Sequence, residues 1–128
     1  MLSLQGLTLI LRLAAGTELP VARRLAYLEA AASMQLSYGV MKDESDGLYA
    51  HSWNAADRKP SCCKWGRANG WGMLSHLEVL GAIDGWPVQA GGKIDFDRSN
   101  LHVEFVQRVA ALVPFQDNST GLWHQVLK

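Results

Sequence analysis

The sequence predicts an all-α protein, a helical-hairpin array, and three observations carry that expectation. Apolar residues recur at helical spacing over several stretches, Gly, Pro and Asp punctuate the gaps between them, and one seven-residue string appears twice. The string Asp43-Glu44-Ser45-Asp46-Gly47-Leu48-Tyr49 recurs as Asp117-Asn118-Ser119-Thr120-Gly121-Leu122-Trp123, an offset of 74 residues. Asp, Ser, Gly, Leu and an aromatic match in kind, and each copy follows a helix, as successive units of a helical repeat array would have it. In each copy Asp and Ser can satisfy a turn, Gly can take φ > 0, and the Leu-aromatic pair leads out in an extended stretch. The repeat places its aromatic, followed by His51 or His124, on one side of the array.

The elements follow in order. The opening MLSLQGLTLILRLAAG is apolar enough to suggest a secretory leader ending at Ala14-Ala15-Gly16, but it lacks a basic start and carries Arg12 inside the apolar run. It is too short and interrupted to span a bilayer, so it reads as a core helix packed on several sides. A break follows at Thr17-Glu18-Leu19-Pro20, with Pro20 suited to the first turn of a new helix. Val21, Leu25, Leu28, Ala32 and Leu36 give that helix its stripe, Arg23, Arg24 and Glu29 lie away from it, and Gly39 is placed to end it as the residue beyond the cap. From Val40 to Gly70 periodicity lapses, which predicts a long loop of the functional kind. Trp71, Leu74, Leu77 or Glu78, and Leu80 restore helical spacing until Gly85-Trp86-Pro87, and a connection runs through Gly91-Gly92. A last helix is capped by Asp97, lined by Leu101, Phe105, Val109 and Leu112, and stopped by Pro114.

Composition narrows the function. The 128 residues, 48% hydrophobic and 19% charged, are enough for a single domain over 1–128 and too few for two ordinary ones. Twelve Lys+Arg balance twelve Asp+Glu, so no broad field attracts nucleic acid or an anionic membrane. Cys62 and Cys63 are adjacent, which excludes a disulfide framework, and no second ligand pair accompanies them to make a zinc module. No metal or cofactor is expected. Five Trp are the one excess, serving either as core filler or as stacking platforms for sugars or bases.

The residues able to carry chemistry concentrate in His51-Ser52-Trp53-Asn54 and in Lys64-Trp65-Gly66-Arg67-Ala68-Asn69-Gly70-Trp71. The Arg67 guanidinium, between two Trp, is a planar fork suited to a carboxylate, or equally to stacking on a tryptophan or pairing with an Asp. His51 suits an acid, a base or a hydrogen-bond donor, or a plain solvated role. Trp53, Trp65 and Trp71 can floor a sugar subsite, although each alone also suits a core. Cys62-Cys63 lacks the partners a nucleophile or metal site needs, and His76 and His102 fall on helices and read as structural. Asn118-Ser119-Thr120 matches the glycosylation acceptor pattern.

The run from Gly47 to Trp53, then Lys64-Trp65-Gly66-Arg67-Ala68-Asn69-Gly70-Trp71, then Gly121-Leu122-Trp123-His124-Gln125-Val126-Leu127, resembles glycoside hydrolase families 88 and 105, the unsaturated glucuronyl and rhamnogalacturonyl hydrolases. The resemblance implies a segment of an (α/α)6 toroid, six helical hairpins whose long loops form one open pocket. The chain would be an incomplete, central piece, with the family's further helices before Met1 and after Lys128. The implied chemistry is not attack at the anomeric carbon. It is hydration of the C4=C5 bond of a terminal unsaturated uronic acid on a pectin-derived oligosaccharide, after which a hemiketal opens and releases the next sugar. Carried over by position, His51 and Arg67 would hold the uronate or order water, and Trp65 and Trp71 would stack on the ring, with Trp53 and His124 completing the substrate-binding set. The family's catalytic Asp would fall near Met1 or upstream, whereas this sequence has no Asp before Asp43, and Asn54 stands where many relatives carry Asp. The resemblance therefore implies either such a hydrolase of carbohydrate metabolism or an inactive carbohydrate-binding or truncated remnant of one.

Overall fold

The computed structural model describes residues 4–16, 18–86 and 98–127. Among the described residues four helices carry the fold: α1 (Leu4–Ala15), α2 (Val21–Ser37), α3 (Gly66–Asp84) and α4 (Ser99–Leu112). The strands among the described residues are two residues long each and lie in the loops: β1 (Trp53–Asn54), β2 (Lys59–Pro60), β3 (Lys64–Trp65) and β4 (Val126–Leu127). The sequence expectation of an all-α hairpin array holds. Asp97 and the Gly91-Gly92 connection lie outside the described residues.

The main core is the shared interior of the four helices, with Leu7 and Ala14 from α1, Leu28, Ala31 and Ala32 from α2, Val79, Leu80 and Ile83 from α3, and Leu101 from α4. In α2 the spacing 28, 31, 32 keeps one face inward, which leaves Glu29 and Arg23 in water. Arg24 is half-buried, because its Nε donates to the Ala14 carbonyl at 2.8 Å and its guanidinium lies 4.8 Å from the Trp86 ring, tying the end of α1 to the ends of α2 and α3. Such a charge capping a last turn satisfies a carbonyl that the helix itself cannot.

Several expectations are corrected. α1 is packed on one side and not on several, since Leu9 is exposed while Leu7 and Ala14 are buried. Gly39 does not end α2 in a left-handed conformation; the helix tightens into a 3-10 turn, Tyr38–Met41, that carries the chain through it. Pro114 likewise falls inside a second 3-10 turn, Val113–Phe115, where its missing N–H costs nothing at the first turn. The predicted loop from Val40 to Gly70 is interrupted by β1, β2 and β3 and ends five residues early, since α3 begins at Gly66.

The phase of α3 also differs: of the residues that gave its helical spacing, Leu80 is buried, but the others are not. Trp71, Leu74 and Leu77, the apolar residues that suggested its buried stripe, face outward, and the inward face is Asn69, Ser75, His76, Val79, Leu80 and Ile83. Polar side chains can occupy that face because they bond there: Ser75 Oγ donates to Gln35 Oε1 at 3.1 Å, and Gln35 Nε2 lies 3.4 Å from His76 Nδ1. On α4, Leu101 and Leu112 are buried as expected, but Val109 is exposed and Arg108 takes the inward position.

The two copies of the repeated string fold into the same turn. After each 3-10 turn one residue extends, Lys42 at φ −71° and ψ 130° and Gln116 at φ −73° and ψ 129°. The amide of Asp43 donates to the Leu48 carbonyl at 2.9 Å, and that of Asp117 to the Leu122 carbonyl at 2.8 Å. Asp43 Oδ1 accepts from the amide and hydroxyl of Ser45, and Asp117 Oδ1 does the same for Ser119. Gly47 and Gly121 adopt φ of 74° and 70°, the left-handed conformation that only glycine takes without strain.

Candidate functional site

Both turns lead into the short segment that opens α3. On leaving the first, the His51 amide donates to the Cys63 carbonyl at 3.1 Å, and the hairpin of β1 and β2 pairs Trp53 with Pro60 and Asn54 with Lys59. On leaving the second, β4 pairs antiparallel with β3, Trp65 opposite Val126 and Lys64 opposite Leu127, and the Gly66 amide donates to the Gln125 carbonyl at 3.0 Å. A Cβ on Gly66 would lie 2.6 Å from the His124 carbonyl oxygen, so the crossing of these backbones requires glycine at that point. The histidines are not equivalent: His51 corresponds by the 74-residue offset to Gln125, and residues one apart on an extended chain point to opposite sides.

Three planar side chains meet over this segment. The His51 ring stacks on Trp65 with centroids 5.5 Å apart and planes inclined by 30°, and the Arg67 guanidinium lies 5.9 Å from the Trp65 ring centroid. Arg67 stands in the first turn of α3 and not in a loop, which fixes its Cα to a helix; Trp71, four residues on, projects from the same exposed face. Among the described residues no carboxylate pairs with Arg67. Trp53 belongs to the β1–β2 hairpin and no ring contact joins it to Trp65. His124 lines an open cleft of about 400 Å³ together with Phe115, Asp117 and Val126, beside the second turn, and His51, Trp65 and Arg67 are not among its lining residues.

The two aspartates of the first turn share one ammonium. Lys64 Nζ donates to Asp43 Oδ2 and to Asp46 Oδ2, each at 2.6 Å. The Lys64 and Ser45 hydrogen bonds hold the Asp43 carboxyl well below the usual carboxylate range, and the two aspartates raise the Lys64 ammonium against the opposing effect of its desolvation. Asp57 accepts from Asn54 Nδ2 at 2.6 Å.

Two residues without an assigned role in the sequence prove to support the group. Asn69 Oδ1 accepts from the Tyr49 amide at 3.0 Å while its Nδ2 donates to the carbonyls of Tyr49 and Trp65, at 2.9 and 3.1 Å. A single amide thus replaces a strand partner for the first turn and anchors Trp65 to it. Arg108, only 3% exposed, places its guanidinium 3.7 Å from the Tyr49 ring centroid. Its signal in the sequence is a cation at the spacing Leu101, Phe105, Arg108, Leu112, where an apolar side chain is expected.

The described helices thus form a hairpin-type array whose loops gather stacked aromatic and cationic side chains at the start of α3. Residues 18–128 match the family model described as Glycosyl Hydrolase Family 88, and the chain belongs to that family. It is 37% identical over 89 residues to the unsaturated rhamnogalacturonyl hydrolase YesR of Bacillus subtilis (strain 168), covering 69% of this chain and 23% of the relative. The solved structure of a family 105 glycoside hydrolase from C. acetobutylicum ATCC 824 matches with a TM-score of 0.64 and 22% identity, over 97% of this chain and 33% of that one. The fold is accordingly that of a segment of an (α/α)6 toroid, and the chain spans about a quarter of the curated relative and a third of the solved structure.

Proposed function

We propose that His51, Trp65 and Arg67, with Trp71 alongside, receive the carboxylate-bearing ring of a terminal unsaturated uronic acid on a pectin-derived oligosaccharide, in the service of its hydrolysis by C4=C5 hydration. The observation that carries this reading is Arg67, a guanidinium held on a helix over Trp65 and free of any described carboxylate. A fork of fixed geometry favours a planar anion, and the indole face beside it favours the C–H surface of a sugar ring. Hydration would add a proton at C4 and water at C5, and the hemiketal so formed would open to release the neighbouring sugar.

A second reading, binding without turnover by this chain alone, is favoured by the state of its carboxylates. Asp43 and Asp46 are engaged by Lys64 and Asp57 by Asn54, so none of the three is placed as a proton donor beside the group. One titration separates the readings. An unsaturated rhamnogalacturonan disaccharide is added to the purified chain while tryptophan emission reports binding and enol-ether absorbance reports hydration. Arg67→Lys should weaken binding by about 2 kcal/mol, near thirtyfold in Kd, with a neutral disaccharide as control. Equal affinity of the variant for the acidic disaccharide overturns the assignment of Arg67. Loss of enol-ether absorbance decides for turnover, and its persistence with retained binding decides for the second reading.

A further inference from the structure

We propose that Cys62 and Cys63 form a chelating site for a soft, trivalent thiophilic centre, an organic arsenical being the chemistry that fits best, and that occupation of this site is felt at His51. The two cysteines are consecutive between β2 and β3, both side chains are exposed, and their Sγ atoms lie 3.1 Å apart in hydrogen-bond contact. Two metal–sulfur bonds of about 2.3 Å spanning that separation would meet at about 85°. An angle near 90° suits the pyramidal bonding of trivalent arsenic and not the tetrahedron of zinc, and among the described residues no group of three or more His, Cys, Asp or Glu gathers to complete a zinc shell.

The hydrogen bond and charge of Cys62 push the Cys63 thiol above its ordinary value, so Cys63 is poorly disposed to act as an isolated thiolate nucleophile. With an arsenoxide the As=O bond is lost and two As–S bonds form, both S–H protons leaving with that oxygen as one water, and arsenic stays trivalent throughout. No oxidant enters the balance.

The path to His51 is one hydrogen bond long. The Cys63 carbonyl accepts from the His51 amide at 3.1 Å, and the His51 ring stacks on Trp65 with centroids 5.5 Å apart. A ring closed through both sulfurs includes the Cys63 Cα, which bears that carbonyl, so closure restrains the residue that holds the His51 amide and with it the stacking of His51. This inference is independent of the sugar reading, since neither readout below uses a sugar.

The test treats the reduced full chain with phenylarsine oxide and follows it by intact mass spectrometry. One arsenical per chain is expected, released by 2,3-dimercaptopropanol and retained against 2-mercaptoethanol. Release by the monothiol should be at least about 100-fold faster from Cys62→Ser and from Cys63→Ser, because a second bond made intramolecularly multiplies retention on that scale. Two arsenicals per chain, or equal release from wild type and single-cysteine variants, overturns the chelate. Tryptophan emission, compared with that of Trp65→Phe to isolate Trp65, should change on loading and stay constant in Cys62→Ser. A retained arsenical with unchanged Trp65 emission overturns the link to His51.

Discussion

The turn at Asp43–Tyr49 and the turn at Asp117–Trp123 share their hydrogen bonds, yet Leu48 and Tyr49 are 1% and 6% exposed where Leu122 and Trp123 are 67% and 43% exposed. The first copy is covered on several sides: Asn69 bonds its backbone, Arg108 stacks on its aromatic, Lys64 bridges its two aspartates, and Leu48 packs with Leu112 and Leu127. The second is braced from within its own stretch, by Gln116 Nε2 donating to the Gly121 carbonyl at 2.7 Å and by Trp123 Nε1 donating to the Leu112 carbonyl at 2.7 Å. Turn geometry is therefore a local property of the seven residues, whereas burial belongs to whatever stands beside them. The same string serves as core in one place and as surface in the other.

Removing the brace that distinguishes the copies should give the largest effect. Asn69→Ala strands the Tyr49 amide and two carbonyls in a buried place and should cost about 3 kcal/mol in urea unfolding. Gln116→Ala, the matching cut at the exposed copy, should cost less than about 1 kcal/mol because water replaces the lost donor. Equal costs would show that the second copy is as deeply supported as the first.

The helix beneath the first copy should also respond to acid. Burial, with the charge of Arg108 adding to it, depresses His76 to about 4, so the native state resists the proton that the unfolded chain accepts. Stability from this residue is full above about pH 6.5 and is lost as pH falls from there towards 4, by up to about 3 kcal/mol. Glu104, whose carboxyl burial raises, acts with the opposite sign. The measure is therefore the difference between wild type and His76→Gln, whose stability should be flatter across that window; parallel curves would remove His76 as the cause.

The glycines offer the finest comparison. Gly47→Ala and Gly121→Ala each force a side chain into positive φ at about 1 kcal/mol. At Gly47 the new Cβ would also lie 2.9 Å from the Ala111 Cβ, whereas at Gly121 the nearest neighbour is Gln116 Nε2 at 4.0 Å. Thermal melts should place Gly47→Ala about 1 kcal/mol below Gly121→Ala, and coincident melts would mean that α4 yields at Ala111.

Much of this was legible in the residues. The stripe Leu28, Ala32 of α2, the repeated Asp-Ser-Gly turn and the Lys64–Trp71 string lead to the helical array and to Glycosyl Hydrolase Family 88 because each is a local pattern. The inward face of α3 was not legible: Trp71, Leu74 and Leu77 are more apolar than Asn69, Ser75 and His76, and only partners distant in sequence, Tyr49 and Gln35, make the polar face the buried one. Nor could spacing show that Arg67 opens a helix, since the segment just before Gly66 is set by the pairing of β3 with β4, 61 residues apart between the paired Trp65 and Val126. Hydrophobic periodicity and turn chemistry act between neighbours in the chain, and so the sequence by itself determined the helices, the twin turns and the family. Which faces meet depends on contacts between distant residues, and so only the tertiary structure decided that one turn is core, that the other is surface, and that His51, Trp65 and Arg67 come together.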